Sequence, residues 1–164
     1  AAPNDLVRAE REILARFPVQ RVNLDELILR ELKSAAGQLG ARWEVVLNAD
    51  AASRDSADWR RLQQLVDRAM TEVRRALEES SEPALLVNPG LLARYGQLGL
   101  LEALRQSCER GAGPGYVVLV PADARSTMPV VEGVPLPVVL ASEWARIPGS
   151  WVANAHGAAP AAAG

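Results

Sequence analysis

The sequence predicts an α/β fold: an N-terminal helical layer packed on a small, mostly parallel sheet of Rossmann-like βαβ type, with short helices at the C-terminal end. Three observations predict it. Charge is concentrated in the first half, where residues 1–82 hold 13 Lys/Arg and 15 Asp/Glu against 5 and 5 in residues 83–164. Apolar residues in the charged half recur at spacings of three and four, the period of half-buried helices. The second half carries two short apolar runs, "ALLVN" and "YVVLVP", on either side of a leucine-rich stretch. Runs apolar on both faces suit parallel strands covered by helices, and the stretch between them supplies the crossover.

The elements follow in order. Residues 5–17 read as a helix with Leu6, Ala9, Ile13 and Phe17 on one face, and Pro18 stops it. "NLDE" places Asn23 as N-cap with Glu26 three residues on, a capping-box pattern, and Gly40 ends the helix that follows. In residues 42–47 the Val pair favours a strand, whereas Trp43, Val46 and Leu47 share a helical face. The reading taken is a short helix. "NADAASRDS" reads as a loop ending in a cap at Asp55 or Ser56. Residues 58–79 form the clearest helix, with Trp59, Leu62, Val66, Ala69, Met70, Val73 and Leu77 in one stripe.

From Pro83 the texture changes. Residues 84–88 are a strand, residues 91–110 a helix with a break near Gly96, and residues 116–121 a second buried strand. Residues 128–140 are short extended pieces turned at Glu132-Gly133, and their prolines belong at a sheet edge or outside it. Two helical turns follow, with Ser142 and Ser150 as caps. The organisation expected is a helical subdomain over 1–82, a βαβ subdomain over 83–156 and a low-complexity tail over 157–164.

Composition excludes several classes. The apolar share of 49% supports a continuous core, and the net charge of -2 lacks the positive excess of a general nucleic-acid surface. Direct nucleic-acid binding is not expected. The arginines of residues 58–79 are matched by acids on the same helix. One cysteine, Cys108, and one histidine, His156, allow no internal disulfide and no zinc set. No cofactor or metal is expected. Without a secretory signal or an apolar run long enough for a membrane, the expected location is the cytoplasm. The opening "AAPND" without Met suggests a piece of a larger protein.

Candidate chemistry is sparse. "GAGPG" follows a helix and precedes a strand, the wrong order for a phosphate loop, so its glycines read as a helix stop and turn. The carboxyl ends of the strands are where open α/β sheets bind ligands. Asn88, Asp123, Arg125, Ser126 and Thr127 fall there and form the candidate ligand-binding set, for a nucleotide or other anion. The plain alternative is a solvated connection. Ser126, His156 and Asp123 make a hydrolase triad only on paper, because no nucleophile elbow accompanies them. Cys108 reads as a core residue. No catalytic residue is assigned. Trp144 and Trp151 either clamp the C-terminal segments onto the core or form an interaction patch.

Two runs carry a resemblance. "WEVVLNADAASRDSADWRRLQQLV" and "LLVNPGLLARYGQLGLLEALR", the latter continued by "GYVVLVPADARSTMPVVEGVPLPVVLASEWARIPGSWVANAH", resemble the C-terminal region of PglW-type serine/threonine kinases. Those belong to bacterial phage growth limitation (BREX-like) defence systems, mostly in actinobacteria. The resemblance spans residues 43–156. It implies an accessory domain, not a kinase: the sequence has no kinase Gly-rich loop, "HRD" or "DFG", and its one lysine, Lys33, lies in a helical stretch. The function expected is a non-catalytic regulatory or protein-interaction domain, with a ligand-sensing α/β domain as the alternative. Expected partners are other domains of the parent chain or other defence proteins, with self-association left open.

Overall fold

The computed structural model describes residues 1–111, 113–122 and 127–153. After a 3-10 turn at Pro3–Asp5, α1 runs Leu6–Arg16 and buries Ala9 and Ile13. Phe17 shares their spacing but not their face. Its backbone is already extended (φ -124°, ψ 140°), as a residue before proline prefers, and its ring is exposed.

The chain then enters β1 (Gln20–Asn23), an element the sequence did not announce. Asn23 ends it and caps α2 (Leu24–Gln38): its Oδ1 accepts from the Glu26 amide at 3.3 Å. Gly40 leaves that helix at φ 67°. α3 (Trp43–Ala51) confirms the helical reading of its first residues and extends it. Residues 48–51, expected in a loop, complete the helix because Val46 and Ala49 are both buried and together hold it against the core. Ser56 caps α4 (Ala57–Glu78), with Oγ accepting from the Trp59 amide at 3.1 Å. Its outer face is laced with Arg61–Asp58, Arg74–Glu78, Arg75–Glu72 and Arg75–Glu79 pairs.

β2 (Ala84–Val87) is buried at every position. The leucine-rich stretch divides into α5 (Gly90–Arg94) and α6 (Gly99–Glu109), with Gly96 at φ 70° making the break. Gly111, at φ 65°, turns the chain out of α6. β3 (Tyr116–Val118) is shorter and more open than expected: Val117 is 49% exposed, because β3 lies at the sheet's edge. β4 (Val130–Val131) and β5 (Val134–Pro135) form an antiparallel hairpin. Its turn places Glu132 and Gly133 both at positive φ, the backbone a two-residue hairpin demands. A 3-10 turn at Ala141–Glu143 and α7 (Gly149–Val152) complete the described chain. Ser142 and Ser150 do not cap them, since Leu140 and Pro148 hold those positions. In place of a serine, the Glu143 carboxylate accepts from the Val139 and Leu140 amides at 2.7 and 3.1 Å.

The main sheet has the order β1–β2–β3, with both pairs parallel. Gln20 stands opposite Ala84, and Ala84 opposite Tyr116. Alternate residues of β2 feed two cores. Ala84 and Leu86 face the layer made by α2 to α6, where Ile28, Leu32, Val66 and Leu104 are almost fully buried. Leu85 and Val87 face Ala9, Ile13 and Val152 of α1 and α7.

Leu86→Ala is expected to cost about 2–5 kcal/mol in urea unfolding, since a fully buried leucine leaves a cavity at the centre of the sheet. Val117→Ala, on the exposed side of β3, should stay within about 1 kcal/mol of the parent.

Candidate functional site

The carboxyl ends of β1 and β2 are stitched together by one side chain. Asn88 leaves β2 at φ 52°, a conformation asparagine tolerates better than most residues. Its carbonyl accepts from the Asp25 amide at 3.2 Å. Asp25, in the first turn of α2, reaches across so that its Oδ1 accepts from the Leu91 amide at 2.8 Å. A Cβ on Gly90 would stand 3.4 Å from Asp25 Oδ2. The first turn of α5 thus receives its carboxylate from within the chain.

Burial pushes the Asp25 carboxyl above its ordinary value. The Leu91 amide opposes that shift, and the negative charge of Glu132, on the hairpin turn, adds to it. An anion arriving at Asn88 would meet two carboxylates here, and the short α5 already has its acceptor.

The sequence-derived candidates divide unevenly. Asn88 and Thr127 are exposed. Asp123, Arg125 and Ser126 lie outside the described residues, as does His156. Asp25 and Glu132 were not singled out. Asp25 had a signal, its place beside the Asn23 cap, but the helix it serves lies 66 residues away.

Trp144 and Trp151 do different things. Trp151 is half-buried against α1, with the Arg16 guanidinium 4.4 Å above its ring, within the range of a cation–π contact. Trp144 lines an apolar groove of about 590 Å³ that runs along the outer edge of β3. Leu104 and Cys108 of α6 form one wall of that groove; Leu136, Trp144 and Ile147 form the other. Cys108 is half-buried and its Sγ donates to the Pro114 carbonyl at 2.8 Å, so it ties the turn after α6 to the helix. Arg105 bridges the walls. It pairs with Glu102 at 2.6 Å on its own helix and with Glu143 at 3.4 Å across the gap. The two Glu143-bound amides, and then Arg105, hold that carboxyl below the usual glutamate value.

A second polar cluster joins α3 to α5. The Arg94 guanidinium donates to both Asp50 carboxylate oxygens at 2.9 and 2.8 Å, and Tyr95 Oη donates to Oδ1 at 3.1 Å. Burial, reinforced by Asp50, pushes the Tyr95 hydroxyl up to about 12. These bonds to Asp50 hold α3 and α5 together. Among the described residues no group of three His, Cys, Asp or Glu side chains is placed to hold a metal ion, and no helix is long and apolar enough to cross a membrane.

The chain is similar to part of a PglW-type kinase. It is 34% identical, over 92% of its length, to Probable kinase PglW of Streptomyces coelicolor. It spans only 10% of that protein. The match bears out the resemblance to PglW-type kinases. No family model matches the chain, and no solved structure matches it significantly.

A carboxyl whose folded value lies above its unfolded one costs stability once ionised; the cost is absent below the unfolded value and complete above the folded one. Asp25→Asn keeps an acceptor for the Leu91 amide and removes the charge. It is expected to melt above the parent at about pH 7, with the difference vanishing as the pH falls below about 4. Thermal melts across that range check this, and a variant that melts lower at neutral pH would contradict it.

Proposed function

We propose that this chain is a non-catalytic regulatory or protein-interaction domain, an accessory region of a large phage-defence serine/threonine kinase acting in the bacterial cytoplasm. The similarity to a tenth of Probable kinase PglW carries the reading. The residues support it from another side. A protein kinase needs a strand lysine for its nucleotide phosphates. The one lysine of this chain, Lys33, stands on α2 with its ammonium 5.3 Å from the centre of the Trp43 ring. It packs two helices rather than facing a phosphate. The polar clusters at Asp25, Asp50 and Arg105 likewise spend their bonds on joining elements. Such an arrangement suits a rigid module that acts through its surface.

Excising this domain from its full-length parent tests the reading. Autophosphorylation of the remaining kinase is expected to persist, while protection against phage in a plaque assay is lost. Protection that survives excision, or phosphoryl transfer by the isolated domain, would overturn it.

A further inference from the structure

The two edges of the main sheet are built differently. The outer edge of β1 carries Gln20 and Arg21, both exposed, and charged side chains on an edge discourage further pairing. The outer edge of β3 borders the apolar groove instead. Leu86 from one core and Ile13 and Leu119 from the other both line that groove, so it follows the edge of the sheet rather than either face.

Backbone groups in a parallel ladder point alternately to the two sides. The Gly115 carbonyl accepts from Ala84 and the Leu119 amide donates to Leu86, each at 2.9 Å. Odd-numbered residues of β3 and its flanks therefore face β2, and the amides and carbonyls of Tyr116, Val118 and Val120 face the groove. One residue already sits on that side. Ala1 lies with its nitrogen 3.5 Å from the Val120 carbonyl, and its own carbonyl accepts from the Ala122 amide at 2.7 Å. This pair of contacts is one rung of a parallel ladder centred on Pro121. Ala1 is only 6% exposed, so the rung is a buried foothold.

We propose that the outer edge of β3 is the seat of a fourth parallel strand, supplied by polypeptide that leads into Ala1 in a longer parent chain. The rung sets both direction and register. The residue two positions before Ala1 donates to the Val118 carbonyl and accepts from the Val120 amide. The residue four positions before it donates to the Tyr116 carbonyl and accepts from the Val118 amide. About five residues, at ~3.3 Å each, carry the strand back to the start of β3. Its side chains alternate between the two cores, so the segment is extended and apolar on both faces. The similar PglW kinase carries its matching stretch within a far longer polypeptide, which is the setting this strand requires. The inference is independent of the role proposed above, because it concerns how the sheet is completed.

Hydrogen exchange at the Val118 and Val120 amides tests it. Residues 1–164 are compared with the same domain preceded by about ten residues of its parent chain, a length that spans the groove with a margin. In the longer protein both amides should slow by at least tenfold, and its melting temperature should rise. Val118→Pro removes the outward amide while sparing the bonds to β2, and it should abolish the gain in the longer protein. The shorter protein carrying Val118→Pro, followed by circular dichroism, reports whether the substitution itself unfolds the domain. Equal exchange in the two wild-type proteins overturns the proposal. So does protection in the shorter protein that appears only at high protein concentration, since the groove then takes a second copy of the chain.

Discussion

The structure depends on the burial of β2 from both faces. A strand of four residues makes few hydrogen bonds, and a sheet of three such strands has little stability of its own. Leu85 and Leu86 point to opposite sides and are both fully buried, so neither helical layer can be removed without exposing the centre of the sheet. On one side lie the long capped helices α2 and α4; on the other, α1 and the small α7. The second layer is thin. Trp151, with the Arg16 guanidinium over its ring, packs against it.

Parallel strands bring their carboxyl ends to one edge, and that geometry invites a ligand. At this edge Asp25 supplies a carboxylate to the Leu91 amide in the first turn of α5. The ionised form pays for burial, and nearby Glu132 makes it worse. What it provides is a direct bond between the first turns of α2 and α5, the two helices that follow neighbouring strands. The Asp50 cluster does the same between α3 and α5, with two hydrogen bonds from one guanidinium in the fork geometry that suits a carboxylate. Polar groups in this molecule serve mainly to fix helices against one another.

Most of the fold was legible because it rests on local signals. The Asn23 and Ser56 caps, the stripe of α4, the Gly96 break and the Glu132-Gly133 turn are each decided within a few residues of chain. β1 was not legible. "QRVN" has no alternation and no apolar run, and it becomes a strand only because β2 lies beside it with backbone groups that must be paired. The shortness of β3 has the same origin: "YVVLVP" reads as a buried strand, but its surroundings at the sheet edge leave Val117 exposed. The site was the least legible part. Asn88 could be placed at the carboxyl edge of the sheet from its position after a strand, whereas the contact of Asp25 with Leu91 spans 66 residues and forms only through tertiary packing.

The two sheet edges also show how the same exposure can have opposite meanings. Any edge strand offers free amides and carbonyls to another strand. β1 carries Arg21, whose guanidinium is held by Glu10 of α1, and charged side chains on an edge strand discourage a further partner. β3 borders a mainly apolar channel instead, whose lining also includes Arg105, Glu143 and Arg146, with Arg105 and Glu143 tying its two walls together. Leaving one edge apolar while guarding the other has a cost in solubility, since exposed apolar edges associate. That cost is avoided if the unguarded edge is covered in the intact protein, and Ala1 already marks the line along which the covering strand runs.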